Sequence, residues 1–224
     1  MTEAEWLACT NPRRMLEFVR FTAPPRCISL FSCACCRRIW PLLSDERSRV
    51  AVEAREGEAS GMVGEVELAA ALEAGRAARE EARGAFRFAT EELDRRPEAA
   101  PAWAAGAAVT PPYVAHRFAA QAAACLARGH WETEFAREQA AQADLLRDIV
   151  IPFCHVVLNP SWLTSTVRTL AEGIYQDRAF DRMPILADAL QDAGCDSDDI
   201  LIHCRGTGPH VRGCWVVDLV LGKE

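Results

Sequence analysis

Lysine is all but missing from this chain: Lys223 stands alone among 25 basic residues, so nearly every positive charge is a guanidinium. Arginine grips carboxylates and phosphates through a planar fork, yet acidic residues outnumber basic ones and the formal charge is −7. That balance argues against non-specific nucleic-acid binding, where clustered cations supply most of the affinity. Also missing is any run of the ~18 consecutive apolar residues that a transmembrane helix needs. The opening Met1-Thr2-Glu3-Ala4-Glu5-Trp6 is acidic where a secretory leader is basic. Together these absences predict a cytoplasmic chain without membrane or nucleic-acid partners. Its 10 cysteines are then free thiols, metal ligands or catalytic groups before they are disulfides.

Catalytic signatures are lacking too. There is no Walker loop, Rossmann fingerprint, Gly-x-Ser-x-Gly elbow or His-Glu-x-x-His helix. The nearest set for nucleophilic chemistry is Cys204 or Cys214 with His203 or His210, and no local motif supports it.

What is present is helical periodicity. Thr2 and Glu5 have capping-box spacing, and Asn11-Pro12 pairs a cap with a first-turn proline. Met15, Phe18 and Val19 form an apolar stripe. Cys27 to Cys36 is apolar except for Ser29 and Ser32, which predicts a central buried helix that Pro41 stops. Ser44 reads as the cap of the next helix. Leu68, Leu72, Gly75, Ala78, Ala82, Phe86, Ala89 and Leu93 keep one helical face from Glu65 to Arg95. Prolines among alanines place the main loop at 97–112, with Trp103 near solvent. Val114, Phe118, Ala122 and Cys125, then Trp131, Phe135, Leu145 and Ile149, give two further helices.

Residues 151–158 are the one plausible strand, with an extended linker equally open because of Pro152. Helices follow from Asn159-Pro160, from Phe180-Asp181 and from Ser197, the last ending near Arg205. Residues 214–221 are read as a helix beginning near Pro209 and stopping at Gly222. The fold class is thus all-α: a multi-helix bundle with a long alanine-rich hairpin and little or no β-structure. Residues 1–224 form a single helical domain, in which 62–150 is an alanine-rich insertion and 151–224 a C-terminal subdomain.

Chemistry has two candidate locations. Cys33 and Cys36 lie one helical turn apart and can face one metal, though both also fit as small buried hydrophobes. The second is the stretch 203–214. There Arg205, Gly206, Gly208, His210 and Arg212 suggest an anion pocket at a helix start, or a plain connector. His203, Cys204, His210 and Cys214 suggest metal ligands, and zinc is the ion such donors take, although no resident cofactor is required. Asp218 either orients a ligand or pairs with Arg212 or Arg178.

The runs Cys33-Ala34-Cys35-Cys36-Arg37-Arg38-Ile39-Trp40 and His210-Val211-Arg212-Gly213-Cys214-Trp215 resemble uncharacterised proteins abundant in planctomycete bacteria. Residues 185–194 resemble the repeat-companion domain of such genomes, whose core is Ala-Asp-Trp-Leu-Glu-Glu-x-Gly. Here Ala189 stands in place of the tryptophan and Gln191-Asp192 in place of the acidic pair. The resemblance implies a bacterial, intracellular helical protein and carries no activity. The leading functional expectation is a non-enzymatic helical module that binds another protein, followed by a metal or anion site at 203–214, then by an enzyme of unknown reaction.

Overall fold

The computed structural model describes residues 1–84, 97–126, 130–153 and 156–223. The chain is all-α: twelve α-helices and no strand lie among the described residues. None of these helices is long and apolar enough to cross a membrane.

The capping box at Thr2 forms as its spacing predicts, with the Glu5 amide donating to Thr2 Oγ1 at 3.2 Å and the Thr2 amide to Glu5 Oε2 at 2.7 Å. It opens α1 (Glu3–Ala8), and Asn11 then caps α2 (Pro12–Val19), whose Met15 and Val19 are buried. α3 (Pro25–Arg38) is the central helix, buried from Leu30 to Cys36 and packed against α4 (Glu46–Glu58), α6 (Ala100–Val109), α7 (Pro112–Cys125) and α8 (Trp131–Ile149). Asp45, not Ser44, caps α4, accepting from the Arg47 amide at 2.9 Å.

The expected long helix appears as α5 (Glu65–Gly84), while Phe86, Ala89 and Leu93 lie outside the described residues. Its small-residue stripe is used within the chain, because α5 packs on α4 and α6. Gly75 makes that close: a Cβ there would sit 2.6 Å from Val109 Cγ1 and 3.1 Å from Ala51 Cβ.

The loop expected at 97–112 is instead a 3-10 turn, Pro97–Ala99, followed by the buried helix α6. Proline in a first turn forfeits only an amide that has no helical partner, and alanine is the best helix former. Pro101 therefore starts a helix where a loop was expected, and Trp103 on it packs half-buried against the Phe118 ring at 5.6 Å. The proposed strand also fails. The described part of 151–158 is irregular, since Pro152 donates no backbone bond and no second strand lies among the described residues to pair with; Cys154 and His155 lie outside the described residues.

The C-terminal part comprises α9 (Ser165–Asp177), α10 (Met183–Asp192), α11 (Asp198–Arg205) and α12 (Trp215–Leu221). Two large hydrophobic cores result, beside a small cluster of Ala99, Ala100 and Cys125. The first gathers side chains between Trp6 and Val150, including those of α6, α7 and α8 from the stretch read as an insertion. The second gathers side chains between Trp162 and Val220.

Polar seams join the cores. Arg26 at the start of α3 forks onto Asp218 of α12 and donates to the Ala59 carbonyl at 2.7 Å. Glu56 of α4 receives Arg37 at 2.7 Å and also Arg178, just past α9. Asp218 thus pairs with Arg26, not with the Arg212 or Arg178 expected from sequence.

Candidate metal centre between the two cores

The helix expected to begin near Pro209 begins at Trp215. Residues 206–214 form a loop instead, and Gly213 lets it seat against the first core. Its φ of 98° suits glycine, and any Cβ would stand 3.0 Å from Leu30 Cδ1. His210 and Cys214 consequently share no helix face, yet the loop folds them together with His203 of α11. Cys214 becomes the N-cap residue of α12.

The residue that gathers them was missed in sequence. Asp148, in the last turn of α8, is 3% exposed and points from the first core at the second. Its Oδ1 lies 2.8 Å from His210 Nδ1 and 3.2 Å from His203 Nε2, and its Oδ2 accepts from the Val211 amide at 2.9 Å. Cys214 Sγ lies 3.2 Å from His203 Nε2 and 3.9 Å from His210 Nδ1. A signal for Asp148 did exist: it falls on the stripe Leu145, Ile149, where a carboxylate has no business unless something buried receives it.

Electrostatics follow from this burial. Desolvation alone would push the Asp148 carboxyl up, but the N–H groups of His203 and His210 outweigh it and hold the acid below the ordinary carboxylate range. Burial and the Asp148 charge push the Cys214 thiol well up, while the Val217 and Val216 amides at the start of α12 pull the other way. As a free thiol, Cys214 is therefore a poor nucleophile.

Hydrogen bonding fixes the imidazoles. The Trp215 indole, which only donates, gives its N–H to His203 Nδ1 at 3.0 Å. Nδ1 is thus an acceptor, and the ring proton sits on Nε2, facing Asp148 and Cys214. His210 donates from Nδ1 to Asp148, leaving its Nε2 buried with no partner.

Among the described residues, Asp148, His203, His210 and Cys214 form the only group of three or more metal-binding side chains close enough to hold one ion, with donor atoms all within 4.8 Å of one another. The other sequence candidates lie elsewhere. Cys204 is buried in the second core, its thiol pushed up to about 12 by burial and by Asp148. Cys33 and Cys36 are in the first core, where burial raises both thiols and Cys33 donates to the Val52 carbonyl.

Arg205 turns to Asp188 at 2.8 Å and Gln191 at 2.6 Å, and Arg212 caps α9 through the Tyr175 carbonyl at 3.1 Å. Gly206 and Gly208 line a surface hollow with His210 that also includes Asp181, a carboxylate unfavourable to an anion. No protein-family model, curated protein or solved structure matches the chain.

Proposed function

We propose that this chain binds one zinc ion through Asp148 Oδ1, His203 Nε2, His210 Nδ1 and Cys214 Sγ, and that the ion clamps the two helical cores together. What supports this reading is the spacing of the donors. With Zn–S about 2.3 Å and Zn–N or Zn–O about 2.0–2.2 Å, tetrahedral ligand atoms stand roughly 3.3–3.6 Å apart. Four of the six donor–donor distances span 2.8–3.9 Å and all six lie within 4.8 Å, a spacing that one ion can draw together from residues far apart in sequence.

A mixed sulfur, nitrogen and oxygen set suits zinc and disfavours calcium or magnesium, which take oxygen alone. Four protein ligands, nearly closed off from solvent, leave no open position for substrate, so the role is structural. The protein-interaction reading has weaker support, because the described part of the small-residue stripe that prompted it, on α5, packs on α4 and α6.

A second reading is favoured by one observation, the Trp215 bond to His203 Nδ1. Here Asp148 is simply a buried acceptor for three N–H groups and ties the cores without an ion. Cys214→Ser and elemental analysis separate the two. Under the zinc reading, natively purified protein carries about one zinc per chain and C214S loses most of it. Substoichiometric zinc, iron, cobalt, nickel and copper in the unmutated protein would end that reading.

A further inference from the structure

Zinc at His203 Nε2 needs the lone pair there, yet the Trp215 indole N–H already occupies the Nδ1 lone pair. A neutral imidazole has one ring proton. Once zinc takes Nε2, the proton must move to Nδ1, where it would point at the indole N–H. Two donors cannot share that 3.0 Å contact.

The indole has somewhere to go. Besides touching His203, Trp215 lines a cleft of about 650 Å³ between the cores, alongside Phe18, Pro24, Cys27, Pro152 and Leu219.

We infer that Trp215 is a latch on the metal centre: its indole holds His203 in the tautomer that cannot ligate, and zinc binding breaks that bond and swings the ring toward the cleft. This deepens the zinc reading and rests on it. The proton balance is simple. The Cys214 thiol releases its proton to solvent, the His203 proton transfers from Nε2 to Nδ1, and the His210 proton transfers from Nδ1 to its unpartnered Nε2. Trp215 is not a ligand; it acts through His203 and sets the affinity.

The bond opposes metal binding by the worth of one net hydrogen bond, so Trp215→Phe should bind zinc roughly two- to tenfold more tightly. Zinc ion would be titrated into chelator-treated protein, with affinity read by chelator competition. In parallel, the assigned Trp215 indole N–H would be followed by ¹H–¹⁵N NMR in the unmutated chain, a readout that needs no variant to fold. The inference expects tighter binding by W215F and loss of the hydrogen-bonded indole shift as zinc saturates. Stoichiometric zinc binding with an unmoved indole resonance would overturn the latch and leave the zinc site standing. Failure of the unmutated chain to bind zinc would remove both.

Discussion

His116 is 4% exposed on α7, and burial, with the nearby Arg117 and Arg13 charges, lowers its pKa to about 4. Above pH 6.5 the ring is neutral whether the chain is folded or not, so its contribution to stability is fully present there. Between 6.5 and 4 the unfolded chain takes up a proton that the folded one refuses, and stability falls as pH falls. The loss attributable to this one group is on the order of 3 kcal/mol by pH 4. His116→Leu should flatten that limb in urea melts run from pH 7 to 4; an unchanged pH slope would contradict the assignment. Two glycines make an opposed pair. Gly75→Ala drives a methyl into Val109 and Ala51 and should cost about 1–3 kcal/mol, whereas Gly173 in α9 has nothing within 4 Å of a new Cβ. Gly173→Ala should therefore stabilise by about 0.5–1 kcal/mol, read as the opposite shift in denaturant midpoint. Sequence periodicity put Gly75 on the buried stripe, but the identity of its neighbour could not be read there.

Among the elements, α3 and α12 are tied by one buried ion pair. Arg26 and Asp218 are 192 positions apart, with side chains 14% and 8% exposed. Burial raises the Asp218 carboxyl even though Arg26 opposes the shift, so the acid relies on its partner for charge compensation. Arg26→Met should cost about 3–5 kcal/mol, while the double variant Arg26→Met/Asp218→Leu should recover a large part of that loss. A double-mutant cycle in urea reads the coupling, and additive effects would show that the pair contributes no interaction. The helices themselves were legible, because caps and apolar spacing act within a few residues. α6 was not: proline and glycine read as loop signals unless one knows that the segment is enclosed between α5 and α7. The start of α12 was misplaced for a similar reason, since the loop before it is held by Leu30 and Asp148 from the other core.

At the scale of the molecule, two cores meet through Arg26–Asp218, Glu56–Arg178 and the Asp148 cluster. If zinc occupies the cluster at about a thousandfold above its dissociation constant, it adds about 4 kcal/mol to stability. Stripping it with a chelator should then lower Tm by on the order of 10 °C. Differential scanning calorimetry with and without the chelator checks this, and coincident melts would favour Asp148 as a plain hydrogen-bond acceptor. Three of the four residues of that cluster were visible beforehand, since His203, His210 and Cys214 lie within one short stretch. By itself the sequence determined an all-helical chain, because helix periodicity and caps are local properties of neighbouring residues. Only the tertiary structure decided that Asp148 joins the histidines and Cys214, and that Cys33 and Cys36 stay apart from them. Those pairings depend on how one core docks on another, and no spacing along the chain encodes that distance.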